Sequence, residues 1–221
     1  MPDFAPSPLS SDPSLPLEQD GPTPTDGRER PVLPFDDVAD ELEARIRSAR
    51  LIAIDGLPCA GKTTLAVRLA TRFGLSILTF DDFYLPERAW PPDIAPAFPY
   101  PFIRIDEFRS AIAALHAAGR CDYLPFDWTT RSLLADRTAL RPDGPLIVEG
   151  CSVLDPALRP FYDLALFIES DAPSIIEARR FRDGGIDDEA AWRGLFLPSV
   201  DLYMATEPAR RADVVVRGRG A

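Results

Sequence analysis

Residues 51–64 read LIAIDGLPCAGKTT, an apolar run that passes straight into glycine, lysine and threonine. Within it Gly56-Leu57-Pro58-Cys59-Ala60-Gly61-Lys62-Thr63 fits G-x-x-x-x-G-K-[ST], followed by Thr64 and an amphipathic helix carrying Leu65, Leu69 and Phe73. A strand before this pattern and a helix after it are the context a P-loop requires. The two glycines allow backbone conformations closed to other residues, so successive N–H groups of residues 56–64, Pro58 excepted, can turn inward on a triphosphate. The helix N-terminus adds partial positive charge. Lys62 then reaches the terminal phosphates, and the Thr63 hydroxyl is placed to ligate Mg2+. The chain has 24 basic residues, and Lys62 is the single lysine among them. A compact ammonium stands where a tight backbone cradle needs one, and arginine serves everywhere else.

Outward from this loop, short apolar runs alternate with amphipathic segments: SILTF (76–80), a helix near 105–118, LIVEG (146–150), LALFIE (164–169), helices near 172–182 and 188–206, and ADVVV (212–216). Strands apolar at every position are buried on both faces, which predicts a parallel sheet covered by helices on each side. Such a sheet takes its ligands at the carboxyl ends of its strands. The expected fold is an α/β, three-layer P-loop NTPase domain. Residues 1–34 are dense in Pro, Ser, Asp and Gly without period and read as a disordered tail, leaving 35–221 as the domain. Asp36 or Asp37 is expected to cap a helix through Val38, Leu42, Ile46 and Ala49.

Composition narrows the function. The net charge is −11, from 35 acidic and 24 basic residues, which argues against nucleic acid or an anionic membrane as partner. His116 is the only histidine, and Cys59, Cys121 and Cys151 have no C-x-x-C spacing, so neither a zinc centre nor a disulfide framework is expected. There is no apolar run of membrane length and no signal-peptide pattern, so the expected location is cytoplasmic. Asparagine is absent, which removes the N-K-x-D motif of a switch GTPase and the sensor asparagine of an ATPase.

An acidic pair points to a kinase. Asp81 and Asp82, in TF-DDFY (79–84), follow a strand at its carboxyl end. A carboxylate there can orient a hydroxyl and accept its proton, a role assigned to Asp81. Asp82 is expected behind it, near the metal or among the acceptor contacts; the alternative for both is a turn or helix cap. Glu149 ends LIVEG and is a candidate Mg2+ ligand, directly or through water, against the alternative of a merely solvated acid.

The ordered set IDGLPCAGKTT (54–64), DDFY, LPFDWTTR (124–131), LIVEG, YDLALFIE (162–169), EARRFRDG (177–184), Tyr203 and RADVVV (211–216) resembles the uridine kinase and phosphoribulokinase superfamily over most of residues 50–217. The resemblance implies ATP- and Mg2+-dependent phosphorylation of a hydroxyl on a small molecule. It matches Asp81 to the catalytic acid and makes Arg179, Arg180 and Arg182 arginines of a mobile lid over the triphosphate. Gly184 and Gly185 serve as its hinge. The alternative is that these arginines complement a helix C-terminus.

The acceptor side departs from the family. The aromatic-Asp-x-Pro element of uridine kinases is not found in AWPPDIAPAFPYPFIRIDEF (89–108), where Asp93 and Asp106 are the acids available to replace it. Arg131 stands where those enzymes carry a base-reading histidine, which suggests an acceptor bearing a carboxylate or phosphate. Tyr84, Phe126 and Trp128 either wall the acceptor pocket or belong to the core. His116 reads as structural. A small-molecule kinase is the favoured function; a P-loop regulatory protein without phosphoryl transfer is the alternative. The sequence leaves the oligomeric state open.

Overall fold

A computed structural model of the chain describes residues 30–183 and 189–220. Its strands are β1 Val32–Pro34, β2 Leu51–Gly56, β3 Ser76–Thr79, β4 Cys121–Tyr123, β5 Phe126–Asp127, β6 Ser132–Leu133, β7 Thr138–Leu140, β8 Leu146–Glu149, β9 Leu164–Glu169 and β10 Val214–Arg217. The helices are α1 Val38–Glu41, α2 Glu43–Ser48, α3 Lys62–Phe73, α4 Ile105–Ala118, α5 Ala172–Asp183, α6 Glu189–Ala191 and α7 Leu197–Met204. A π-helical stretch, Trp192–Phe196, joins α6 to α7.

The main sheet runs β1-β10-β9-β2-β8-β3 with every pair parallel, and β2, which leads into the P-loop, lies between β9 and β8. All six residues of β2 and all four of β8 are buried. Alternation of side chains feeds two cores. Leu51 and Ala53 face Phe108, Ile112 and Leu115 of α4, whereas Ile52 and Ile54 join Ile46, Leu65 and Leu69 on the opposite face. This is the expected three-layer arrangement, and each buried Leu or Ile contributes about 1.5–3 kcal/mol. Two antiparallel pairs lie outside the sheet: β5 with β6 forms a small hairpin, and β4 with β7 encloses it in sequence.

Two expectations need correction. The expected tail of 1–34 does not reach its last residues: Val32–Pro34 pairs with Val215–Arg217 as the sheet's edge strand, and Arg30 Nε donates to Ala212 O at 2.9 Å. The domain therefore begins by Arg30, and residues 1–29 lie outside the described residues. The first helix is two short ones, and the Asp37 side chain makes no capping hydrogen bond. Asp36 pairs with Arg68 on α3 instead. Val38, Leu42, Ile46 and Ala49 are all buried, as their spacing predicts.

Candidate active site

The P-loop leaves β2 at Gly56, whose φ is +149° and whose added Cβ would lie 2.6 Å from Ile168 O. No side chain fits that crossing of β2 against β9. Cys59 also adopts a positive φ, 62°, which wraps the loop toward α3. Lys62 is buried, and its Nζ donates to Leu57 O at 2.8 Å, so the ammonium is held inside the loop that it serves.

Thr63, in the first turn of α3, donates from Oγ1 to Glu149 Oε1 at 3.2 Å. Glu149 ends β8 beside β2 and is 3% exposed. Burial raises its pKa and the Asp81 charge adds to the rise, while Lys62 and hydrogen bonds from Thr63 and Thr79 oppose it. Neutral threonine and carboxylate oxygens beside a partly compensated negative charge are the hard-donor chemistry that Mg2+ prefers, so the residues present fit that ion.

The DDFY segment forms a 3-10 turn, Phe80–Phe83, directly after β3. Phe80 and Phe83 are buried against Phe108, with ring centroids at 4.8 and 5.1 Å. With both phenylalanines turned inward, the two acids separate. Asp81 is exposed and lines the cleft that holds Lys62, Thr63 and Glu149. Asp82 does not line that cleft; Tyr123 OH donates to its Oδ2 at 2.9 Å. Burial raises the Asp82 pKa, opposed first by the Tyr123 hydrogen bond. Of the places expected for Asp82, the structure puts it behind Asp81, outside the lining of the cleft and held by Tyr123. Arg104, which the sequence reading missed, fixes the turn by donating from Nη2 to Asp82 O at 2.8 Å while its guanidinium lies 5.6 Å from the Phe83 ring.

The cleft is open, with a volume of about 1600 Å³. Beyond Asp81 its walls are Tyr84, Phe102, Trp128 and Phe196. Tyr84 lies 5.0 Å from Trp128, and Phe102 lies 4.7 Å from Phe196, centroid to centroid. Phe126 is buried behind them, 5.1 Å from Tyr84, and supports the wall without lining it. Arg131 does line the cleft, and its Nη2 lies 3.6 Å from Glu87 Oε1 with both side chains largely exposed. Glu87 was not expected. Its carboxylate stands beside the Arg131 guanidinium at the edge of the cleft. Asp127 organises this loop: Thr129 N and Thr130 Oγ1 donate to it at 2.9 and 2.8 Å.

Arg179 of α5 lines the same cleft, its guanidinium 3.6 Å from the centre of the Trp192 ring. The side chains of Arg180 and Arg182 and the residues Gly184 and Gly185 lie outside the described residues. Asp93 and Asp106 are exposed and do not line the cleft; Asp106 pairs with Arg109 at 4.0 Å. His116 is exposed near the end of α4, its ring edge-on to Phe161 at 5.4 Å.

One buried acid went unremarked in the sequence. Asp55, one residue before the P-loop, is 0% exposed. Burial raises its pKa, opposed by hydrogen bonds from Tyr203, Leu154 and Gly56. The signal was available as a lone acid inside an otherwise apolar central strand.

The sheet order and the loop between β2 and α3 define a three-layer α/β fold of the P-loop type, with acids placed just after β3 and at the end of β8. The same architecture occurs in a possible uridine kinase from Bacillus stearothermophilus, with a TM-score of 0.65 and 22% identity over 82% of this chain and 96% of that one. It also occurs in a candidate fructose transport system kinase from Silicibacter sp. TM1040, with a TM-score of 0.64 and 24% identity over 83% and 98% of the respective chains. At these identities the likeness is one of fold. No protein-family model matches the chain. Among the described residues no helix is long and apolar enough to cross a membrane.

Proposed function

We propose that the protein is an ATP- and Mg2+-dependent kinase that transfers the γ-phosphoryl group to a hydroxyl of a small molecule. The observation that carries this reading is the convergence of Lys62, Thr63, Glu149 and Asp81 on one cleft that continues into an aromatic chamber. A carboxylate beside an aromatic-walled space next to the phosphate loop favours phosphoryl transfer over nucleotide binding alone, because transfer needs both a proton acceptor and a seat for the second substrate.

In this reading the P-loop amides and Lys62 hold the β- and γ-phosphates. Thr63 and Glu149 hold Mg2+, which neutralises phosphate charge when bound. Asp81 orients the acceptor hydroxyl and takes its proton as the new O–P bond forms and the bond to the β-phosphate oxygen breaks, releasing ADP. Tyr84, Trp128, Phe102 and Phe196 exclude water and seat an acceptor with a flat or apolar face. At the mouth, Arg131 donates and Glu87 accepts hydrogen bonds, a pair that suits a neutral acceptor with both kinds of group on one edge. Nucleosides and ring-bearing metabolites of similar size fit these requirements, and the two solved structures named above include a possible uridine kinase. An acceptor bearing a carboxylate or phosphate is the second reading, favoured by the exposed Arg131 guanidinium that lines the cleft.

The test is ADP release with Mg-ATP against nucleosides, vitamins, sugars and glycerate-like alcohols, with Lys62→Ala as the control. Lys62-dependent turnover of at least one acceptor is expected. Nucleotide binding without transfer to any of them would overturn the kinase reading in favour of a regulatory P-loop protein.

A further inference from the structure

Asp55 carries four hydrogen bonds on one carboxylate. Oδ1 accepts from Gly56 N at 2.6 Å and Ser152 N at 3.2 Å. Oδ2 accepts from Leu154 N at 2.7 Å and Tyr203 OH at 2.5 Å. A carboxylate offers about four lone-pair directions, so the group is fully used. Its donors come from three separate places: the first residue of the P-loop, the turn after β8, and α7.

Each place leads to a different part of the site. The turn begins immediately after Glu149. Ser152 holds a φ of +83°, a conformation that a serine adopts at some cost and that accompanies an N–H turned toward Asp55. On its other side the turn is wedged against Phe80, since a Cβ on Gly150 would come within 2.2 Å of the Phe80 Cβ. Phe80 precedes Asp81. Tyr203, fully buried, lies on the helix that continues from the π-helical stretch holding Trp192 and Phe196, two residues of the cleft wall. An apolar side chain could fill this space without the cost of burying a carboxylate, but it could not aim amides from two loops and a phenol at one point.

We infer that Asp55 is a positioning residue that ties the P-loop to the turn carrying Glu149 and, through Tyr203, to the helix carrying the acceptor wall. The inference rests on the kinase reading for the meaning of the acceptor wall, and on nucleotide binding alone for the rest. Asp55 does not itself line the cleft; it acts by fixing the register between phosphate loop, metal carboxylate and wall.

Two substitutions separate this role from plain stabilisation. Asp55→Asn puts an amide NH2 where an acceptor is required, so the turn after Glu149 loses its aim. Isothermal titration of ADP is expected to show affinity in the presence of Mg2+ falling about 10–100-fold, with Mg2+-free affinity falling far less. Tyr203→Phe leaves three amides on Asp55 and frees only the helix. Mg-ADP affinity should then hold while acceptor KM rises about tenfold. Equal loss with and without Mg2+ in Asp55→Asn overturns the inference, as does a lower Tm with unchanged acceptor KM in Tyr203→Phe. If Asp55→Asn does not fold, the Tyr203→Phe KM decides alone. A wild-type protein that binds Mg-ADP but phosphorylates nothing fails as a kinase, and the Mg2+-dependent loss in Asp55→Asn then still decides the metal-side coupling.

Discussion

Thr63 Oγ1 lies 3.2 Å from Glu149 Oε1, joining the first turn of the P-loop helix to the carboxyl end of the neighbouring strand. Two hard oxygen donors from separate elements are thereby set side by side next to Lys62 and Asp81. Removing either should weaken the response to Mg2+ more than the binding of nucleotide. Glu149→Gln and Thr63→Ala are expected to raise the Mg2+ concentration for half-maximal activity about tenfold or more, with Mg2+-free ADP affinity nearly unchanged. Mg2+ titrations that coincide with wild type would remove both residues from the metal site.

Asp81 and Asp82 are adjacent, but the 3-10 turn gives them different surroundings. Asp81→Asn should lower kcat about 10²–10⁴-fold with ATP KM unchanged, as loss of a proton acceptor does. Asp82→Asn keeps a carbonyl oxygen for the Tyr123 hydroxyl and should cost less than tenfold, about the value of one weakened hydrogen bond. Steady-state kinetics of the two variants decide the assignment, and a reversed order would overturn it.

The edge strand makes a sharp distinction between two truncations. Residues 1–29 have no periodic apolar face in the sequence, so their deletion should leave Tm and activity unaltered. Deletion through Phe35 also removes β1, the Arg30 hydrogen bond, and a ring whose Cε2 lies 3.4 Å from the position of a Cβ on Gly61. A loss of about 1–3 kcal/mol, seen as a Tm lower by several degrees, is expected for the second deletion alone.

Arg131 and Glu87 should act as a pair. Arg131→Ala and Glu87→Ala are each expected to raise acceptor KM about 5–20-fold with ATP KM unmoved, and the double variant should cost less than the product of the two. Full additivity, or a rise in ATP KM, would show that the pair does not meet the acceptor.

The loop bearing Trp128 and Arg131 should depend on pH through Asp127. Hydrogen bonds from Thr130 and then Thr129 hold its pKa below the ordinary 3.8. A depressed folded-state pKa gives stabilisation that is present above the unfolded value and lost as pH falls through the folded one. The Trp128 fluorescence of a variant lacking Trp90 and Trp192 should therefore stay constant down to about pH 4 and change only below it. Asp127→Ala should remove that acid transition and raise acceptor KM at neutral pH.

Much of this protein is legible along the chain because its signals are contiguous. The P-loop needs only nine successive residues, Gly56 to Thr64, and the central strands announce themselves as apolar runs because both of their faces are covered. The same local reading placed Lys62, Thr63, Glu149 and Asp81 at strand ends, where a parallel sheet collects its ligand groups.

What the tertiary structure decided lies in contacts between residues distant in sequence. β1 is three residues long and ends in proline, too short to show a pattern, and it exists as a strand only through its pairing with β10 at the far end of the chain. Which of two adjacent aspartates faces the cleft depended on Phe80 and Phe83 turning into the core together, and on a tyrosine 41 positions away donating its hydroxyl hydrogen to the other acid. The role of Asp55 depended on donors 97, 99 and 148 positions downstream. A sequence specifies its hydrogen-bonding groups and its local periods one segment at a time. Which buried group meets which is set only when the sheet order and the packing of its two faces bring the segments together.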